Sequence, residues 1–201
     1  MAGGVGRERT VAFSDGVFAI AITLLVLTVE IPQLRTESGE ELDRALRDTW
    51  PDLLSYFIAF FVIGLFWVAH HRFFDSLRGY DGRLMAANLL FLSLIALLPF
   101  PTSLLGEHDE LTISVVVFAV AVAAAGLAET LMLWLALDRN LLGADEQAHP
   151  GRYLLQSLIT PAVFLASIPV AFVAPRVAPY TWLVLVVVRR AHFSRAHSRP
   201  G

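Results

Sequence analysis

Apolar residues in this chain come in long runs separated by short polar segments, and the runs approach the about 20 residues that a bilayer-spanning helix needs. The pattern predicts six such helices, over about residues 12–31, 53–73, 84–105, 111–137, 154–173 and 179–193. The first stops before Pro32, which lacks a backbone donor and cannot continue a helix. The fifth carries Pro161 and Pro169 and is expected to kink there. The sixth ends near Arg189 and Arg190 and reaches only about 21 Å at about 1.5 Å per residue, so it stands untilted with snorkelling arginines or inserts in part. Between the first two runs lies an acidic connection from Gln33 to Trp50, in which Glu40–Asp48 can form a short amphipathic helix. No run alternates polar and apolar residues with a period of two, as barrel strands do. The expected fold class is all-α: one polytopic membrane domain over residues 1–201.

Composition sharpens this picture. The chain has 201 residues, 56% of them hydrophobic and 16% charged. A soluble domain carries about 25% charged residues. Cysteine is absent, which excludes disulfides and thiolate metal sites. A net charge of −3 is too small to imply a nucleic-acid partner. The first run resembles a signal peptide in position, but Ser14 and Asp15 stand at its start and Ile31-Pro32-Gln33 is a poor cleavage site.

All cationic residues are arginine, and their distribution sets the orientation. With six spans, one side holds Arg7, Arg9, Arg72, Arg78, Arg83, Arg139, Arg152, Arg189, Arg190, Arg195 and Arg199, and the other Arg35, Arg44, Arg47 and Arg176. The positive-inside rule then places both termini in the cytoplasm.

Chemistry concentrates at the start of the first helix, where Arg9, Ser14 and Asp15 precede an otherwise apolar stretch. Ionisable groups at the edge of a span are costly unless paired, which makes them functional candidates. At about 100° per residue, Phe13, Gly16, Ile20, Thr23, Leu24, Leu27 and Ile31 share roughly one third of the circumference. Asp15, Ala19, Ile22 and Val26 fall opposite, with Ser14 at a flank. The Ile20 face either meets lipid and neighbouring helices or lines a symmetry axis as apolar rings, and periodicity leaves both open.

The arrangement Arg9-x-x-x-Phe13-Ser14-Asp15, followed by an Ile/Leu/Thr-rich helix, resembles the prokaryotic branch of the transmembrane protein 175 potassium channels. The resemblance implies a homotetramer whose pore is lined by the first helix of each subunit. It implies that Ile20 forms the narrowest ring and Leu27 a second, with Leu24 contributing and the Thr23 hydroxyl facing potassium ions near Ile20 and Thr23. It also implies that Arg9, Phe13, Ser14 and Asp15 sit behind that face, joined to Trp67, His70, His71 and Asn88 on the second and third helices. Asp15 is expected to pair within the cluster of Arg9, Ser14, His70 or His71 and Asn88. The carbonyl-filter sequence T-V-G-Y-G is missing, so selectivity must come from apolar side chains and Thr23.

Other polar residues within the runs are few. Glu129 needs a partner or a wet cavity, and Gln156, Ser157 and Thr160 form a stripe suited to interhelical hydrogen bonds. Ala121, Ala125 and Ala128 are spaced for close helix packing. No hydrolase, metalloprotease or phosphate-loop motif occurs, so an enzyme is not expected. No cofactor is expected beyond the permeant ion. The expected function is a passive potassium-selective channel. The alternative is a proton-coupled transporter or proton conductor using Asp15, His70 and Glu129.

Overall fold

A computed structural model of the protein describes residues 2–30 and 38–182, with side chains from Gly6 onward. It is helical nearly throughout. α1 covers Ala2–Leu24 and tightens into a 3₁₀ turn over Leu25–Thr28. Then follow α2 (Gly39–Asp48), α3 (Trp50–Ser76), α4 (Gly82–Leu97), α5 (Pro99–Glu107), α6 (Thr112–Asp138), α7 (Ala144–Ala148), α8 (Pro150–Ser157) and α9 (Ile159–Val173), with a 3₁₀ turn at Ala178–Trp182. Sequence signals set the starts: Ser38 caps α2 by accepting from Glu41 N–H, Asp81 caps α4 by accepting from Leu84 N–H at 2.9 Å, and prolines open α3, α5 and α8.

Five helical stretches among the described residues are long and apolar enough to cross a bilayer: Gly6–Thr28, Trp50–Ser76, Gly82–Glu107, Thr112–Asp138 and Pro150–Val173. The first begins earlier than the expected Ala12, because polar Arg7 to Thr10 continue the helix; Ile31 and Pro32 lie outside the described residues. The third is not one uninterrupted helix over 84–105. Pro99 and Pro101 supply no backbone donors, and the chain breaks for one residue at Leu98. The fifth starts at Pro150 and breaks at Leu158, because Pro161 cannot donate to the Ser157 carbonyl one turn back. Pro169, by contrast, stays inside α9. Of the expected sixth span, residues 183–193 lie outside the described residues. Trp182 itself is buried, stacks on Phe118 at 5.0 Å and donates to Ser167 Oγ at 2.8 Å.

α6 runs through the middle, packed mainly on α9 and α4, while α1 lies across α3 and α4. Phe18, Phe66, Phe74, Phe91, Phe118 and Phe164 fill the core. The α6–α9 contact explains the small-residue stretch: Ala125 and Ala128 are buried, and a Cβ on Gly126 would stand 2.8 Å from Pro161 Cδ. That ring cannot move aside as a flexible chain can. Gly126→Val is therefore expected to push α6 and α9 apart and destabilise the fold by about 1–3 kcal/mol, the usual cost of overpacking. A thermal melt in detergent checks this, and an unchanged midpoint would show that the contact yields freely.

Two loops at the motif end are stitched together. Leu77 and Leu142 form an isolated antiparallel bridge, Arg78 N–H donates to Leu141 C=O at 2.7 Å and Gly143 N–H to Ser76 C=O at 3.1 Å. Arg139 forms an ion pair with Asp81. The Leu84 N–H first, and then Arg139, hold the Asp81 carboxyl below its ordinary range.

Candidate functional site: the α1 face and its anchoring network

Three sectors divide α1. Ser14, Phe18, Ala21, Leu25 and Thr28 are buried and form the stripe that packs on α3 and α4 and, over the 3₁₀ turn, on α3 and α5. A second sector, Phe13, Ile20, Leu24 and Leu27, is apolar yet uncovered, with Ile20 61% and Leu27 75% exposed. Thr23 is exposed on the same sector, and its hydroxyl donates to Ile20 C=O at 2.9 Å, leaving the oxygen's lone pairs free to face outward. The third sector holds Asp15 and Ile22, both half-buried, with exposed Ala19 and Val26.

The 3₁₀ turn changes the register of the uncovered sector. Counting the α-helical rise alone puts Leu27 about 10.5 Å from Ile20. With the last three steps in 3₁₀ geometry the separation becomes about 12 Å, and Leu27 stands over Leu24 rather than over Ile20.

The network behind this face is anchored on Ser14 more than on Asp15. Ser14 is fully buried; its hydroxyl donates to Thr10 C=O at 2.9 Å and accepts from Asn88 Nδ2 at 3.2 Å. With the amide so oriented, Asn88 Oδ1 faces His70 Nε2 at 2.8 Å, and that nitrogen carries the proton. The His70 ring is sandwiched by aromatic neighbours: it stacks on Phe91 at 5.7 Å, lies 4.6 Å from Phe74 and meets Phe18 edge-on at 5.5 Å. A polar chain of three side chains from α1, α4 and α3 thus runs through an apolar, aromatic surround. Low local polarity strengthens such bonds and raises the cost of breaking one.

Asp15 stands beside this chain. Its Oδ1 accepts from Trp67 Nε1 at 2.9 Å at a partly open position, so its partner is the indole rather than Arg9, Ser14, Asn88 or either histidine. His71, one residue past His70, lies at the surface 3.6 Å from Asp75, with its ring centroid 5.8 Å from that of Trp67. Arg9 and Phe13 do not sit behind the Ile20 face. Both are exposed on its side of α1 and border a groove against Met85 and Leu89 of α4. Eleven residues separate Arg9 from Ile20, close to three whole turns, which returns the side chain to the same sector.

Two contacts escaped sequence reasoning. Thr10 Oγ1 lies 3.0 Å from Tyr80 Oη, and Arg7 Nη1 donates to Leu77 C=O at 2.8 Å. Tyr80 sits in a loop, where no periodicity marks it. Glu129 is half-buried in α6 and remote from the motif in sequence, while buried Thr160 and half-buried Ser157 keep to α9 and the end of α8. No group of three or more His, Cys, Asp or Glu able to hold a metal exists among the described residues.

Comparison with known proteins adds the family. Residues 9–99, which contain most of α1, all of α2, α3 and α4 and every member of the network, match the family described as endosomal/lysosomal potassium channel TMEM175. A protein named as a potassium channel from Streptomyces collinus is 40% identical over 130 residues, 63% of this chain and 62% of the relative. The human endosomal/lysosomal proton channel TMEM175 is 37% identical over 101 residues, 47% of this chain and 20% of that protein. The chain thus spans less than two thirds of these relatives. The crystal structure of a lysosomal potassium-selective channel TMEM175 homolog from Chamaesiphon minutus superposes with a TM-score of 0.81 at 29% identity, covering 94% of this chain and 98% of that one. The family so matched is one of ion channels and not of enzymes, and over residues 9–99 and in its fold this chain is similar to the TMEM175 channels.

Proposed function

We propose that the protein is a passive, potassium-selective leak channel of the bacterial plasma membrane, four copies surrounding a pore lined by α1, with both termini cytoplasmic. One observation carries this reading. The helix bearing the motif leaves its Phe13–Ile20–Leu27 face uncovered, while the adjacent stripe is locked into the protomer by directional bonds. A face held at a fixed angle and left apolar suits a ring around an axis, where side chains set the bore and dewetting resists passage.

In this arrangement four Ile20 side chains form the narrowest point and Leu24 and Leu27 a longer apolar collar. Thr23 presents hydroxyl oxygens to a partly dehydrated cation between them. Asn88, His70 and Ser14 touch no ion; they fix the rotation of α1. The names of the Streptomyces and Chamaesiphon relatives support potassium as the permeant ion.

The test is purified protein in vesicles loaded with potassium. Opening a potassium gradient with no pH gradient is expected to give immediate flux that collapses when the gradient does, and native mass spectrometry in mild detergent is expected to give a tetramer. A monomer or dimer alone, or flux that requires protons, overturns the reading. The second reading is proton conduction, favoured by the human relative's name and by the half-open Asp15 carboxylate on α1. It predicts flux under a pH gradient with potassium absent.

A further inference from the structure

A second apolar surface lies at the other end of the spans. α2 buries none of its residues, yet Leu42 and Leu46 are apolar and exposed on one side of it, while Glu40, Arg44, Arg47 and Asp48 occupy the opposite side. The stripe does not end with α2. Thr49, the single residue between α2 and α3, keeps helical dihedrals (φ −77°, ψ −5°), so the helical phase carries across the junction. Leu42, Leu46, Trp50, Phe57 and Phe61 then fall in one sector of about 100°, and all five are exposed. The last three belong to the outward surface of the span Trp50–Ser76.

We infer that α2 is an interfacial helix, whose Leu42 and Leu46 dip into the headgroup and acyl boundary of the leaflet on the Trp50 side. The continuity with the outward face of α3 commits the surface to lipid. Trp50 stands where an interfacial aromatic belongs, at the first residue of the span. Height supplies the geometry. The interfacial layer on each side of the hydrocarbon core is about 5–8 Å thick. A straight continuation would carry Leu46 about 6 Å and Leu42 about 12 Å beyond Trp50, so both reach the layer only if α2 leans over. Pro51 permits the lean, because it lacks the N–H that would close the turn onto Arg47 C=O. α2 as a whole carries four acids against two arginines, Glu40, Glu41, Asp43 and Asp48 against Arg44 and Arg47. Docking therefore rests on apolar burial and not on attraction to anionic lipid.

The natural chain contains no cysteine, which makes site-directed spin labelling direct. Single cysteines replace Leu42, Leu46, Arg44 and Arg47 in the whole chain, reconstituted in phosphatidylcholine vesicles. At Leu42→Cys and Leu46→Cys, collisions with oxygen are expected to exceed those with a water-soluble nickel chelate, and at Arg44→Cys and Arg47→Cys the order is expected to reverse. Nickel-dominated collisions at all four positions would place α2 in water and overturn the inference. So would low access to both reagents with dipolar broadening at Leu42 and Leu46, which marks cover by a second copy. All four sites are exposed, and unaltered elution on gel filtration serves as the folding control.

Discussion

Ile20→Ala is expected to raise unitary conductance and weaken the preference for potassium over sodium. Isoleucine at this position is uncovered and contributes only aliphatic surface, so a dehydrated ion meets no ligand at the ring. In the proposed tetramer, truncation removes three carbons from each of four copies, which is expected to widen the bore and let water accompany the ion, so that both cations pass at similar cost. A tenfold fall in the permeability ratio corresponds to about 1.4 kcal/mol of lost barrier difference. Ile20→Asn, which adds amides at similar bulk, is expected to increase flux with the same loss of discrimination. Thr23→Ala removes the outward lone pairs and should lower selectivity without closing the path. Ile22, half-buried in the third sector, is the control and should leave permeation nearly unchanged. Reversal potentials and single-channel currents in planar bilayers make the comparison. Should Ile22 variants alter permeation while Ile20 and Thr23 variants do not, the pore face has been assigned to the wrong sector.

Asn88→Leu is expected to be the most destabilising single change in the network. The substitution keeps the branching and the number of heavy atoms but leaves the buried His70 Nε2–H without a partner and takes from Ser14 the bond it accepts. The unsatisfied N–H costs about 1–3 kcal/mol, and Ser14, which still donates to Thr10 C=O, loses about 0.5–1.5 kcal/mol more, against a total stability of about 5–15 kcal/mol. Asp15→Asn is expected to cost far less, because Asn retains an acceptor for Trp67 at a position that water reaches. The order, Asn88→Leu well below Asp15→Asn, is read from melting midpoints of the detergent-solubilised protein. Equal midpoints would show that the three-residue chain is dispensable. An Asp15 variant that keeps its midpoint and loses ion preference would move Asp15 from anchoring to permeation.

Much of this organisation is written in residue order, and the part that is not has a physical cause. Span positions follow from run length, whereas the grouping of Ser14 with His70 and Asn88 rests on the family resemblance, to which a shared depth of the three segments only lends plausibility. What periodicity could not rank was Ser14 against Asp15. They lie about 100° apart on α1, and which one is buried depends on where α3 and α4 stand. Charge made Asp15 the obvious centre, whereas the small hydroxyl fits the tight packing against Asn88. The break at Leu98 was hidden because apolar composition continues across Pro99 and Pro101, whereas Pro161 marked the break at Leu158. Arg9 and Phe13 were grouped with Ser14 and Asp15 by adjacency in the motif, although residues four or more positions apart need not share a partner.

The contacts from α1 to its neighbours are unevenly distributed along its length. Arg7, Thr10, Ser14 and Asp15 each meet another element through a hydrogen bond, about one per turn. From Gly16 to Thr28, no described side chain does so; Phe18, Ala21 and Leu25 are held by packing alone. Packing resists separation but resists sliding and rotation weakly, whereas hydrogen bonds resist all three. α1 therefore behaves as a shaft keyed at one end. The angle at which Ile20 faces outward is fixed by Tyr80, Leu77 and Asn88, none of which lies near it along the chain, and a small torque applied at the keyed end is transmitted to Ile20 as a rotation.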